Sequence, residues 1–467
     1  MIAQVSADIL HDDVLFEIFD WYLFQSEEEC DDYGQNVEAW QTLASVCQRW
    51  RAIIFRSPRG LNLRLFFTNG SSVETLAAFP SLPIIIMKSD DETRGLDDII
   101  EAFDYSDRVC EISLLGIPSP RLEEALAAMG RPFPALTFLE LEVPWQGDET
   151  DETTVVDPDS FLGGSAPHLQ HLYFYHVPFP RLPGFLLSAT DLVHLDLWNI
   201  PRIGYFSPEA MVDCLSALTK LNTLCLGFVS SQLRLYQDSL RTPQIVLPLL
   251  KQLRFKGDSG YLENLVAPIY TPTLDRLEIS FFPNLVFDTP ELLRFVRHTP
   301  NVKAPVEAHV NSSDGCIWVK FTDALPTRLV LKILCRGADS QLSSLAQVFR
   351  SSYPRILIPT VERLHIDDTA GLENGTVNDQ WLEVLRPFTL VKDLHLSWRF
   401  VPRIADALAT EVLPALENIY SEMCHPPGAS QETREQHVAV RQFANQTKTV
   451  SIRLTRWEQA SVVDGLP

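Results

Sequence analysis

Nine stretches of the chain place apolar residues at i, i+3 and i+5. They are Val109-Ile112-Leu114, Leu136-Leu139-Leu141, Leu169-Leu172-Phe174, Leu192-Leu195-Leu197, Leu221-Leu224-Leu226, Leu250-Leu253-Phe255 and Leu274-Leu277-Ile279, then Val361-Leu364-Ile366 and Val391-Leu394-Leu396. Successive starts in the first seven are 27, 33, 23, 29, 29 and 24 residues apart, and the last two are 30 apart. The alternation within each stretch is that of a short strand with one buried face. Between strands stand helix starts: Ser207-Pro208-Glu209 before Met211–Leu218, Thr289-Pro290-Glu291 before Leu292–His298, and Ser119-Pro120 before Leu122–Met129. Each puts a hydroxyl residue at the N-cap and proline at the first helical position.

Strand and helix at this period read as irregular leucine-rich repeats, an α/β solenoid with strands on one face and helices on the other. One unit cannot bury its own leucines; stacking does. The stretch 283–360 departs from the form: Cys316–Phe321 alternates, Arg328–Cys335 is rich in leucine and β-branched residues, and Gln341–Arg350 reads as a helix. These are taken as degenerate repeats. Gln146–Ser160 and Ser230–Pro243 read as loops, and Pro426–Thr433 leads into a polar amphipathic last helix. The expected organisation is a helical module over 1–60, a linker and atypical first repeat over 61–108, repeats over 109–425, and a cap and tail over 426–467.

The same alternation predicts a binding surface, because residues at i+2, i+4 and i+6 point away from the core. It selects His171, Tyr173, Tyr175, His194, Asp196 and Trp198 as an aromatic and acidic patch, and Arg254, Lys256 and Arg276 as a basic one. Further along it selects His365 and His395. Aromatic residues and arginine on a strand face are the types enriched in binding hot spots. His171 and His194 occupy equivalent rungs and are expected to stack.

The N-terminal segment has a different period. Leu10, Val14, Ile18 and Phe19 follow one helical face, as do Leu43, Val46, Cys47 and Trp50, with Ile53 and Ile54 continuing it. Asp12 and Asp13 suit the start of the first helix. The pattern L-H-D-D-V-L-x-x-I-F, a tryptophan, then L-x-x-V-C-x-x-W-R-x-I-x-x-S-P resembles an F-box, with His11 where proline is usual and Asp13 where glutamate is common. The insertion Ser26–Glu38 and the later SPEAMVDCLSALT and FDTPELLRF segments resemble the expanded F-box family of mushroom-forming fungi. That resemblance implies docking on a Skp-type adaptor, and through it on a cullin, by Leu10, Asp13, Val14, Ile18, Leu43, Val46, Trp50 and Arg51. It further implies a substrate-recognition role in a cullin-RING ubiquitin ligase of the SCF type, with a protein substrate on the repeat face and no catalytic residue in this chain.

Composition narrows the alternatives. A formal charge of −23 disfavours sequence-independent nucleic-acid binding, which needs cations to neutralise phosphates. Basic residues begin only at Arg49, and Arg51, Arg56, Arg59 and Arg64 follow closely. They form either a solvated face or a patch that orients an acidic partner. No apolar run is long enough to span a membrane. The start, MIAQVSADIL, reads without a secretory signal, so a cytoplasmic or nuclear protein is expected. The 8 cysteines have no CxxC spacing and read as free thiols, with Cys47, Cys110 and Cys335 in apolar runs. His168, His171, His176 and His194 lack a zinc-signature spacing, and no phosphate-binding or hydrolase motif occurs, so no metal, cofactor or enzymatic activity is expected. The competing reading is a repeat scaffold without a ligase, whose N-terminal helices merely cap the first repeat. A cap buries its apolar stripe; a docking module leaves one bare.

Overall fold

The computed structural model describes residues 10–28, 39–56, 61–68, 71, 73–88, 95–144, 158–179, 182–231, 244–282, 289–302, 305–313, 316–322, 328–335, 343–347, 349, 358–368, 378–396, 412–421 and 451–453. The chain divides into two units, Met1–Tyr205 and Phe206–Pro467.

The first unit opens with helices α1 (Asp12–Glu28), α2 (Ala39–Val46) and α3 (Gln48–Arg56). It continues as β1 (Leu65–Phe67), α4 (Val73–Ala78), β2 (Ile84–Lys88), α5 (Leu96–Ala102), β3 (Val109–Leu114), α6 (Ser119–Ala128), β4 (Phe138–Glu142), β5 (His171–Tyr175), α7 (Leu182–Leu186) and β6 (His194–Ile200). The strands lie side by side in chain order, every pair parallel. The i+3 residues of the sequence pattern meet in register. Phe67 opposes Ile86, Ile86 opposes Ile112, and Leu139, Leu172 and Leu195 follow. All are buried, and so are the i residues Val109, Leu136, Leu169 and Leu192. Full burial of one such side chain contributes about 1.5–3 kcal/mol. A backbone bond before each strand extends the ladder: Thr137 N donates to Cys110 O, Gln170 N to Thr137 O and Val193 N to Gln170 O, each at 2.8 Å. The atypical first repeat contributes β1 and β2, and Lys88 takes the buried position opposite Leu114 that leucine or phenylalanine holds in the later strands.

The second unit contains α8 (Pro208–Ala217), β7 (Thr223–Phe228), β8 (Ile245–Val246), β9 (Gln252–Gly257), α9 (Ser259–Val266), β10 (Ile269–Tyr270), β11 (Arg276–Phe281) and α10 (Pro290–His298). Then come β12 (Glu307–Ser313), β13 (Cys316–Thr322), β14 (Arg328–Leu334), β15 (Arg363–Asp368), α11 (Asn378–Leu385), β16 (Asp393–Leu396), β17 (Asn418–Ser421) and β18 (Ser451–Arg453). The strand order is β7-β9-β11-β14-β13-β12-β15-β16-β17-β18. β8 and β10 form a separate parallel pair beside the helices.

The stretch expected to hold degenerate repeats holds an antiparallel meander instead. β13 runs antiparallel to both β12 and β14, while β14 pairs parallel with β11 and β12 parallel with β15. Ser313 opposes Cys316, and two residues, Asp314 and Gly315, separate them in the sequence. Asp-Gly is a strong two-residue hairpin signal, because both central positions of a type I′ turn need positive φ. The buried ladder nevertheless continues unbroken: Leu224, Leu253, Leu277, Leu329, Phe321, Ala308, Leu364, Leu394 and Ile419 oppose one another in turn. The helix layer lies against this face, with α8 touching α9 and α9 touching α10.

Two of the three helix starts differ from expectation. Ser207 caps α8 as its sequence predicts, its hydroxyl accepting from Ala210 N at 3.2 Å. For α6 the N-cap residue is Pro118, and Ser119 lies inside the helix. Thr289 makes no side-chain cap to α10. There the carboxylate of Glu263, on α9, accepts from Glu291 N and Leu292 N, both at 2.8 Å. Residues 145–157 and 232–243, read from the sequence as loop, and 422–450, where the last helix is expected to begin, lie outside the described residues, and 451–453 form a strand parallel to β17. Glu263→Ala removes the acceptor for two helix-terminal N–H groups. It is expected to lower stability by about 1–2 kcal/mol, read as a shift in the urea midpoint at unchanged slope, whereas Thr289→Ala should move it by a few tenths at most.

Candidate functional site

Three surfaces carry the candidate residues. On α1, two stripes advance in steps of four. Leu15, Phe19 and Leu23 are buried, and with Trp40, Leu43, Ala44, Ile53 and Ile54 they form the core of the helical module. Val14, Ile18 and Tyr22 lie on the other stripe and are 46%, 44% and 41% exposed, with Trp21 at 59% beside them and Val46 of α2 at 56%. Phe19 therefore belongs to the core and not to the face that Val14 and Ile18 share. Leu43, expected at a docking surface, is a core residue, because α2 and α3 close over it. Trp50 is half-buried, its ring 4.9 Å from that of Phe19. Leu10 is half-buried, and Asp13 and Arg51 are exposed.

The N-terminal arginines are used within the chain. Arg49 Nη2 donates to Asp12 Oδ1 at 2.7 Å and to Leu10 O, tying α3 to the start of α1. That bond holds the Asp12 carboxyl below its ordinary value. Arg51 Nε donates to Ala44 O at 3.0 Å, and Arg64 pairs with Glu111. Arg56 is exposed.

The strand face of the first unit bears the aromatic patch. His171 and His194 stack as expected, ring centres 4.7 Å apart and planes at 12°. Phe138 lies 5.5 Å from Tyr173 and 6.0 Å from His171. Tyr173, Asp196 and Trp198 are half-buried, and Tyr175 is exposed. Burial lowers the pKa of both histidines, and His171 lowers that of His194 further. His176 is a bend residue at φ 58°, matched at the same place in the next repeat by Asn199 at φ 52°. Both are types that tolerate the left-handed region.

In the second unit the outward rung is Arg254, Glu278, Val330, Lys320, His309, His365, His395 and Tyr420, each opposite the next. Arg254 and Arg276 both pair with Glu278, so the expected basic patch is partly neutralised from within. Lys256 keeps a lowered pKa, from burial first and then from Lys332 and Arg254. Cys225 is buried although it occupies the i+4 position of its strand, which the alternation turns outward.

The far end of that rung is a ladder of stacked rings. His309 lies 4.2 Å from His365, His365 4.1 Å from His395, and His395 4.4 Å from Tyr420, with planes within 14° throughout. Glu307, two residues before His309, sends Oε1 to within 2.6 Å of His365 Nε2 and 3.3 Å of His309 Nε2. Its Oε2 faces Arg363 Nη2 at 3.3 Å. His309 and His365 hold the Glu307 carboxyl well below the usual carboxylate range. His365 and His395 were legible as rung residues; Glu307 and His309 were not, because they lie in the meander.

No family model matches the chain, and no curated protein matches it. Among solved structures, the leucine-rich repeat-containing protein LegL7 from Legionella pneumophila matches over 81% of this chain and 97% of that chain, at 14% identity and a TM-score of 0.27. The repeat architecture stated above rests on the strand registers and the leucine ladder.

Other chemistry is sparse among the described residues. A groove of about 620 Å³ lies by β10 and α10, lined in part by Val246, Tyr270, Glu291, Arg294 and His298. Its two opposite charges satisfy each other, Arg294 donating to Glu291 at 2.6 Å. The described cysteines are free, and burial pushes the Cys110 thiol up to about 11 and Cys214 up to about 12, so neither is a thiolate at neutral pH. Among the described residues no helix is long and apolar enough to cross a membrane.

The ladder has a pH signature. Burial, with help from His365, pushes the His395 pKa down to about 4 from 6.5. The unfolded chain therefore binds the extra proton first, and stability contributed by neutral His395 falls as pH drops from about 6.5 to 4. Glu307, with its lowered pKa, loses stability in the same direction at lower pH still. Denaturant titrations across this range should show the parent weakening with acid and His395→Gln showing a shallower dependence.

Proposed function

We propose that the chain is the substrate-recognition subunit of a cullin-RING ubiquitin ligase of the SCF type. The N-terminal helices dock on a Skp-type adaptor, and the strand faces hold a protein substrate. One observation carries this reading: the helical module has a closed core of its own and still leaves Val14, Ile18, Trp21, Tyr22 and Val46 bare. A stripe of that size on one helix face is a partner surface rather than a solvated one. Leu10, Asp13, Trp50 and Arg51 are the half-buried and exposed residues of the same module that would join the contact, while Leu43 belongs to its core. Docking patches of standard size bury roughly 800 Å² on each partner. The aromatic patch around Tyr173, Tyr175 and Trp198 offers side chains of the hot-spot type to a substrate, as Arg254, Lys256 and Arg276 do on the second unit. Catalysis is then by positioning, with this chain holding the substrate near a conjugating enzyme and contributing no reactive group.

A second reading, a repeat scaffold without a ligase, draws support from the way the module is attached. Trp40 packs against Phe55 and Phe79 at 5.7 and 5.4 Å, and its Nε1 donates to Arg64 O at 3.0 Å. These contacts cover the start of the first repeat, as a cap would. They involve α2 and α3, however, and leave the bare stripe of α1 unexplained.

Co-purification with a Skp-type adaptor separates the two. The parent should form a stable complex. Val14→Asp/Ile18→Asp, which changes only exposed positions, should remain folded by circular dichroism. It should lose at least about 3 kcal/mol of binding, more than a hundredfold, by burying unpaired carboxylates. A parent that captures no adaptor leaves the scaffold reading.

A further inference from the structure

The second unit brings two imidazoles and a carboxylate to one point, and protein docking gives no reason for the arrangement. Glu307 Oε1, His309 Nε2 and His365 Nε2 all lie within 4.8 Å of one another. They project from β12 and β15, whose register sets His309 directly opposite His365. We propose that these three residues bind a divalent ion of the zinc class, leaving a further coordination position open on the strand face.

The donor set is right for the ion. Two imidazoles and one carboxylate suit zinc and its neighbours, and a three-ligand site keeps a position for water or a partner's side chain. Zinc bonds of about 2.0–2.1 Å in tetrahedral geometry set ligand atoms about 3.3 Å apart. Glu307 Oε1 and His309 Nε2 are already at 3.3 Å. His365 Nε2, at 2.6 Å from the same oxygen, has to open by about 0.7 Å. The two rings are tilted by only 14°, so binding also requires them to fan slightly about their Cβ–Cγ bonds. Both imidazoles converge on one carboxylate oxygen, so the ion would take the place of the close nitrogen–oxygen contacts that now join them.

The surroundings prepare the site. Glu307 divides its oxygens, Oε2 toward Arg363 and Oε1 toward the imidazoles. His395 stacks on the far side of His365 and fixes the plane of that ring; groups that orient a ligand in this way matter to metal affinity. A second observation is independent of the cluster. Asn311, the next residue on the same side of β12, has its Oδ1 shielded from solvent with no hydrogen-bond partner. An unsatisfied buried acceptor beside the cluster fits a site whose occupant brings a donor, and water on the open metal position is such a donor. Glu307 and His309 keep about a quarter of their side-chain surface exposed (24% and 27%), so an ion has a way in.

The full chain, stripped with a chelator and dialysed against zinc chloride, should retain one zinc per chain by elemental analysis. Zinc should also raise its unfolding temperature, as any ligand of the native state does. Cobalt substituted for zinc should give the strong visible bands of a four- or five-coordinate site. Glu307→Gln and His309→Gln should each weaken zinc binding by at least about tenfold and abolish the thermal shift. His171→Gln/His194→Gln, which alters the stacked pair of the other unit, should change neither. A parent that retains no zinc overturns the proposal, as does zinc retained undiminished by both ligand variants. If the ligand variants fail to fold, the parent's cobalt spectrum decides: the weak bands of octahedral aqueous cobalt overturn the site.

Discussion

The constraint on which the molecule depends is register. In each unit an apolar residue of every strand meets an apolar residue of the next at the same height, and the rows so formed are buried under the helices. A slip of one residue in any strand would turn its leucines outward and its polar residues into the core. Backbone bonds such as those from Thr137, Gln170 and Val193 fix each strand one residue before it begins, so the entry to the strand and the burial of its leucines are set together. The meander obeys the same rule although one of its strands runs backward, with Leu329, Phe321 and Ala308 keeping the height of Leu277 and Leu364.

Register also decides what the other face can be. Once the inward residues are aligned, the outward ones are aligned as well, and like side chains at like positions become neighbours across strands. This is why histidines far apart in the chain, at 171 and 194 or at 309, 365 and 395, lie face to face. The ladders of rings are by-products of the leucine pattern until something makes use of them. Glu307 is the residue that turns one of them into a chemical arrangement; among the described residues of the first unit it has no counterpart, and the stack there is bordered by Phe138 and Tyr173. The N-terminal helices follow a different logic, in which two adjacent stripes on α1 divide between core and surface.

Much of this was legible in the sequence, for reasons that can be named. The i, i+3, i+5 form locates most of the parallel strands, because both the strand period and the residue leading into it demand apolar side chains. The outward residues then follow by alternation, and the stacking of His171 on His194 with them. The division of α1 was less legible. Val14, Leu15, Ile18 and Phe19 are all apolar, and only packing of α2 and α3 tells the two stripes apart. The cap on α10 was hidden because its acceptor, Glu263, comes from the preceding helix. Thr289-Pro290-Glu291 reads as a local cap, but the backbone at Thr289 is turned away from that geometry. The meander was signalled by the dipeptide Asp314-Gly315, a sequence cue that an expectation of further repeats passes over. With it went Glu307 and His309, whose partner His365 stands 56 residues beyond His309 and in another strand.

The meander has a consequence for how the second unit is assembled. In an array of identical repeats each strand can settle on the one before it, and order spreads from neighbour to neighbour. That succession is interrupted after β11. The strand made next, β12, belongs three places away, and the place beside β11 is filled by β14, which the ribosome makes last of the three. Pairing β14 with β11 closes a longer loop than any single repeat does, and contacts of that sequence separation form slowly. The meander divides the unit into stretches on either side that can each zip up locally but are joined only when the hairpins between them have formed.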